Sequence, residues 1–258
     1  MRRISDPPSV QEPLIRIGCA GWSLSTEHKS RFPEEGTHLE RSARVFSTVE
    51  INSSFYRPHR PDTYRRWADS VPDNFRFTAK VPKEITHVLR LQKAEKPLEK
   101  FLLEVANLGE KLGALLVQLP PSLILDQKAA RKILTEFRNS FSGRIAWEAR
   151  HVSWFSSEAR NLLGEFKVAI VRADPVVAGS PDPLEADAEE SGASFAYFRL
   201  HGSPRIYYSA YSPEYLTALA ARLWRQAGEV YCIFDNTASG AAVPNALELM
   251  DILKSPET

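Results

Sequence analysis

Apolar and polar positions alternate in short runs along the chain, and longer stretches with helical spacing of apolar residues lie between them. Eight runs have the strand pattern: LIRIGCA (14–20), FSTVEIN (46–52), FRFTAK (75–80), GALLVQL (113–119), RIAWEAR (144–150), KVAIVRA (167–173), FAYFRLH (195–201) and VYCIFDN (230–236). Helical periodicity falls around 38–46, 61–70, 96–112, 127–139, 156–165, 213–227 and 242–254. Pro61 stands where a first-turn proline is tolerated, and Ser212-Pro213-Glu214 reads as an N-cap followed by such a proline. Only 174–194, polar, acidic and punctuated by Pro and Gly, lacks a good helix. Eight strand-then-helix units in a chain of this length predict an α/β fold. The expected architecture is a single (β/α)8 TIM-type barrel with a weak or missing helix between strands six and seven.

Parity within the strands sharpens this expectation. In a barrel, alternate side chains face the helices and must be apolar, while the others face the interior. Val49, Ile51, Phe77, Ala79, Val117, Ile145, Trp147, Phe198 and Leu200 take one parity, and Ala169, Val171 and Ala173 are assigned to it as well. The opposite parity carries Thr48, Glu50, Asn52, Thr78, Lys80, Gln118, Glu148, Arg150, Arg172, Asp174, Arg199, His201 and Asp235. These polar residues gather toward the C-terminal strand ends, where barrels build their sites.

Composition narrows the function classes. The 258 residues contain 33 Lys+Arg against 32 Asp+Glu, a net charge of +1. Binding of nucleic acid by bulk attraction needs a basic face or stripe, so nucleic acid is not the favoured partner. Two cysteines, Cys19 and Cys232, make no disulfide framework and no zinc-type pair. They fall on the outward parity of strands one and eight and read as buried free thiols. The opening MRRISDPPSVQEP has no apolar h-region and reads as a disordered lead-in over 1–13, with one barrel domain over 14–258. No run reaches the roughly 18 apolar residues of a membrane span, so no membrane partner and a cytoplasmic location are expected.

The candidate chemistry lies at the mouth. Glu50 and Glu148 could divide general-acid and base roles if their environments separate their pKa values, and His201 is a proton-transfer candidate. The competing reading is that these acids only neutralise Lys80, Arg150, Arg172 and Arg199. Arginine suits bidentate capture of phosphate, and the loops His201-Gly202-Ser203 and Asn236 to Gly240 stand where barrels hold phosphate on backbone N–H groups. His87 and His151 are further candidates at loop starts. Glu50, Glu148, Asp174, His201 and Asp235 are chemically adequate for a divalent metal, but no local metal motif occurs, and a metal cofactor is not favoured.

The ordered landmarks GCAGWS (18–23), TVEINSSFYRPH (48–59), FTAKVPKEITH (77–87), LLVQLPPS (115–122), WEARHVSWF (147–155) and YFRLHGSPRIYYSAYS (197–212) resemble the YecE-like family, domain of unknown function seventy-two. The resemblance implies a TIM-type barrel and no established reaction. It marks Glu50, Asn52, Tyr56, Lys80, His87, Gln118, Glu148, Arg150, Arg199, His201 and Gly202 as family-like positions. Two departures from the family pattern stand out: Asp235-Asn236 stands where an Asn-Asn pair is usual, and SLSTEHKSRFP (23–33) stands where the loop usually runs through a Tyr and another Trp toward F-Y-P.

The combined expectation is a polar pocket that binds a small phosphate-bearing or other anionic ligand and, as an extension, hydrolyses it. Glu50, Glu148 and His201 form the catalytic set. Asn52, Tyr56, Lys80, Gln118, Arg150, Arg172, Arg199, Gly202, Asp235 and Asn236 form the binding set. The alternatives are a non-catalytic nucleic-acid or metabolite-binding module and a metal-independent carboxylate-pair glycosidase, which needs its two carboxylates roughly 5 to 10 Å apart.

Overall fold

A computed structural model describes residues 12–178, 180, 182, 184–185 and 192–254. The expected lead-in falls, through residue 11, outside the described residues. The strands are β1 (Leu14–Cys19), β2 (Thr48–Ile51), β3 (Arg76–Lys80), β4 (Leu112–Gln118), β5 (Arg144–Glu148), β6 (Ala169–Ile170), β7 (Arg172–Asp174), β8 (Phe195–Leu200) and β9 (Glu229–Phe234). Between them run α1 (His38–Ala43), α2 (Pro61–Asp69), α3 (Glu95–Val105), α4 (Gln127–Ser140), α5 (Ser157–Glu165), α6 (Pro213–Trp224) and α7 (Ala242–Lys254). Helix starts follow local chemistry. Thr37 and Glu40 form a capping box on α1, and Asp126, Ser156 and Ser212 cap α4, α5 and α6 with their side chains. Among the described residues no helix separates β7 from β8; most of 179–191, where the pattern predicts a weak or missing helix, lies outside the described residues.

All strand pairs are parallel, in the orders β1-β9-β8-β7 and β2-β3-β4-β5-β6. The two sheets share both borders and so make the staves of a TIM-type barrel. β6 and β7 are one extended segment on either side of Val171, whose N–H donates to Trp147 O at 3.0 Å. At the other seam, Ala20 bridges Glu50, and Gly21 N–H donates to Glu50 O at 2.9 Å. Hydrogen bonding at the seams is sparse, so the ring is two sheets brought edge to edge rather than one unbroken ladder. Gly18 permits this approach: a Cβ there would sit 2.0 Å from Thr48 O.

Three apolar groups fill the fold. One lies between β2–β6 and α1–α5 and includes Phe77, Trp147 and Phe137; another joins β1, β8 and β9 to α6 and α7. The third is the barrel interior, with Leu116, Ala146, Val171, Tyr197, Tyr231 and Ile233. Cys19 and Cys232 are buried free thiols in the second group, as expected.

Strand six corrects the parity assignment. Ala169 and Val171 face the interior and Ala173 packs against them, whereas Val168 and Ile170 face the helices. Arg172 therefore points outward: its guanidinium lies 5.1 Å from the Phe198 ring centre and donates to Gln226. The run KVAIVRA is apolar on both parities, so alternation carries no signal there, and a one-residue slip exchanges the faces.

Candidate functional site

Above the interior layer of Leu116, Ala146 and Ile233, the next inward positions are polar. Strand register places Glu50 beside Thr78, Gln118 beside Glu148, and Arg199 beside Ile233. Arg199 is the hub of this layer. Its Nε and Nη2 grip Glu50 through Oε2 at 3.0 Å and Oε1 at 2.7 Å. Nη1 reaches Glu148 Oε2 at 3.2 Å, and Nη2 lies 2.9 Å from Asp235 Oδ2. One guanidinium thus serves three carboxylates in a site where Arg199, Glu50 and Glu148 are fully buried.

Glu148 is the most heavily served acceptor. Its Oε1 accepts from Gln118 Nε2 and Arg150 Nη1, each at 2.9 Å, and lies 2.9 Å from His201 Nε2. Burial by itself would raise its pKa, but Arg199, His201 and Arg150 outweigh burial and hold it well below the ordinary glutamate value. Asp235 is lowered in the same way, with burial opposed chiefly by Arg199 and His201. Arg199 is raised despite burial because Asp235, Glu50 and Glu148 surround it. His201 stands between two acids, with Nδ1 3.0 Å from Asp235 Oδ2 and Nε2 2.9 Å from Glu148 Oε1. Tyr207, in the loop beyond β8, lies edge-on to the His201 ring at 5.6 Å and is 41% exposed, so it roofs this group.

Lys80 is different from the other cations. It is 5% exposed at the end of β3, and its ammonium lies 4.2 Å from the centre of the Phe55 ring. Among the described residues no acid pairs with Lys80 Nζ and no acceptor takes a hydrogen bond from it. Its pKa is lowered, first by burial and then by the Arg199 charge, against the pull of Glu50, Glu148 and Asp235. Its backbone is fixed, because Ser54 Oγ donates to Lys80 O at 2.6 Å.

The remaining expected positions scatter. Asn52 is half-buried beside the mouth, and its Oδ1 lacks a partner. Tyr56 is 67% exposed and packs edge-on against Phe55. Gly202 lies in the left-handed region at φ +91°, and its N–H is taken by Tyr211 Oη at 2.8 Å. Asn236 turns from the mouth to Ser209 O and Asn245 Oδ1, tying the 201–211 loop to α7. The N–H groups of Ala238 and Gly240 bond to Tyr207 O and Thr237 O. These three amides of the loops expected to grip phosphate are therefore committed to internal bonds. Arg172 lies outside the mouth altogether. Asp174 also turns away, accepting from Tyr211 Oη at 2.7 Å, and His151 caps a short turn through Ser153.

The donor set does not suit a divalent metal. Both ring nitrogens of His201 are turned to carboxylates, and the three acids converge on the guanidinium instead of on a common vacancy. Among the described residues no group of three or more His, Cys, Asp or Glu side chains has metal-holding geometry. Arg199 supplies the positive charge that a metal would otherwise bring.

One participant escaped the sequence reading. Tyr197 Oη donates to Glu50 Oε2 at 2.9 Å and lies 2.9 Å from Thr78 Oγ1. Its inward parity, shared with Arg199, was the available signal; the aromatic company in FAYFRL hid it.

Comparison with known proteins agrees with this architecture. The family described as protein of unknown function DUF72 matches residues 16–258. YecE of Escherichia coli K12 is 30% identical over 145 residues, 55% of this chain and 51% of that protein, so the chain spans about half the length of that curated relative. YunF of Bacillus subtilis is 23% identical, with 93% of this chain and 95% of that protein covered. The crystal structure of a DUF72 protein from Thermotoga maritima superimposes with a TM-score of 0.77 at 26% identity, covering 93% of this chain and 99% of that one. A sugar phosphate isomerase/epimerase from Parabacteroides distasonis shares the fold alone, with a TM-score of 0.53 at 13% identity and 96% of each chain covered. No helix among the described residues is long and apolar enough to cross a membrane.

Proposed function

The chain belongs to the DUF72 family of proteins of unknown function, and on that footing we propose that its barrel mouth binds a small anionic, phosphate-bearing ligand through Lys80 and Arg150. The observation that carries this reading is the enclosed Lys80 ammonium without an acid partner. A buried cation is costly unless something pairs with it, and the mouth acids are already held by Arg199. Arg150 has a side chain 16% exposed and commits only Nη1, to Glu148 and His201, so its remaining donors are free for a ligand. Arg199 is saturated and acts as the scaffold of the site.

The chemistry such a mouth supports is proton transfer by His201, oriented by Asp235 and Glu148, on a ligand held by the two cations. Glu148, held far below its ordinary pKa, orients and accepts; it is no general acid. Glu148 is therefore not the protonated partner that a carboxylate-pair glycosidase needs near neutral pH. Long polyanions fit poorly, because most cations of the mouth are internally paired.

Calorimetric titration with glycerol 3-phosphate and inorganic phosphate tests the proposal. Lys80→Met weakens glycerol 3-phosphate binding about tenfold or more, ~1.4 kcal/mol. Absence of binding at millimolar ligand, or identical affinity in the variant, would overturn it. A duplex DNA titrated at two salt concentrations is the second arm: tight binding with a steep salt dependence would favour a nucleic-acid module instead.

A further inference from the structure

We propose that Lys80 is a nucleophilic amine that forms a Schiff base with its ligand, which makes that ligand an anionic aldehyde or ketone. This inference rests on the binding reading above and names the substrate class for the same site.

The case begins with what a Schiff-base lysine requires: a fixed amine, little water around it, no carboxylate locking it as ammonium, and a neighbouring positive charge. Lys80 is anchored at its backbone by Ser54, its amine nitrogen lies over the Phe55 ring, and it is 5% exposed. Three carboxylates share the mouth, yet all three are gripped by Arg199, and none pairs with Lys80. The same guanidinium that removes those acids contributes a repelling positive charge at the amine. Burial and Arg199 accordingly lower the Lys80 pKa, so more of the amine is unprotonated at neutral pH than in water.

The groups facing Lys80 complete the arrangement. Glu50, Glu148 and Asp235 act on it through space and oppose complete loss of the proton. His87 stands 5.0 Å from the same Phe55 ring, with Nδ1 2.8 Å from Thr86 Oγ1. Burial, with Lys80, Arg90 and Lys83 nearby, lowers its pKa and favours the neutral imidazole. In the reaction the Lys80 nitrogen lone pair attacks the carbonyl carbon and the C=O π pair moves to oxygen. The oxygen gains a proton and the nitrogen loses one, giving a carbinolamine. The hydroxyl then takes up a second proton and leaves as water while C=N forms, and the resulting iminium nitrogen releases its proton, returning the one consumed. The net change is amine plus carbonyl to imine plus water, with no oxidant or reductant. Protonation of the imine acidifies the adjacent C–H bond.

Reductive trapping decides the matter. The protein is incubated separately with dihydroxyacetone phosphate and with pyruvate in the presence of sodium cyanoborohydride, then examined by intact mass and peptide mapping. The expected result is one adduct at Lys80, at a yield about tenfold above any other lysine, suppressed by excess glycerol 3-phosphate and retained in Lys83→Met. Lys80→Arg keeps the charge, removes the nucleophile and abolishes that adduct, with its melting temperature confirming folding. Labelling spread over surface lysines, or no Lys80 adduct with either carbonyl compound, overturns the Schiff base. If glycerol 3-phosphate still binds in a Lys80-dependent way, the binding reading survives that result. If it does not bind, both fall.

Discussion

Replacement of Arg199 by methionine is the perturbation on which the account of the mouth depends. Arg199 is fully buried and contacts Glu50, Glu148 and Asp235, so its loss leaves three carboxylates in a dry site without their main partner. Breaking one buried pair by removing a single partner costs about 3–5 kcal/mol. Met fills much of the volume, so the penalty is electrostatic, and that range is the expected loss at pH 7.5. With a urea m-value of ~3 kcal/mol per molar, the unfolding midpoint falls by about 1–2 M. The pH dependence gives a second readout. Glu148 and Asp235 have pKa values below those of the unfolded chain, so they contribute stability fully above the unfolded values of about 4.3 and 3.9. That stability disappears as pH falls through their folded values. Arg199→Met removes the chief attraction that lowers both groups, so the variant loses less stability than wild type on acidification. Urea titrations followed by tryptophan fluorescence at pH 7.5 and at stepped lower pH measure both effects. A midpoint within 0.3 M of wild type (about 1 kcal/mol) together with an unchanged acid slope would refute the idea that Arg199 neutralises the mouth.

Two further consequences concern the frame. Gly18→Ala places a Cβ 2.0 Å from Thr48 O, so the β1–β2 seam must open; a loss of about 1–3 kcal/mol in thermal or urea unfolding is expected, and a neutral result would mean the seam is looser than described. Burial pushes the Cys19 and Cys232 thiols far up, with Asp235 adding to the effect on Cys19. Neither thiol then reacts with Ellman's reagent at pH 8 in the folded protein and both react in denaturant; rapid native labelling of either would contradict its placement.

Much of the barrel was legible from alternation alone. Seven helical segments and the inward parity of Glu50, Lys80, Gln118, Glu148, Arg199 and Asp235 follow from where apolar residues fall. Strand six was illegible for a local reason. Val168 and Ile170 on one face and Ala169 and Val171 on the other are all apolar, so nothing in the run says which face is inside, and Arg172 was credited to the wrong one. Small residues at 202 and 236–240 suit an anion grip by pattern, and in the fold the amides of Gly202, Ala238 and Gly240 donate to Tyr211 Oη, Tyr207 O and Thr237 O.

What the sequence determined by itself was therefore the periodicity, and with it the class of fold and the set of charges delivered to one end of the strands. Which charge meets which was decided only in three dimensions. Ion pairing depends on separations of a few ångströms between side chains from strands distant in sequence, and no local pattern encodes them. Arg199 reaches from β8 to Glu50 on β2 and to Glu148 on β5, and takes up the acids that Lys80 would otherwise have met. The near-equality of 33 cationic and 32 anionic residues is silent on this point. The unpaired ammonium exists because a guanidinium with several donors can hold three carboxylates at once, and that arrangement arises only where β2, β5, β8 and β9 bring their ends together.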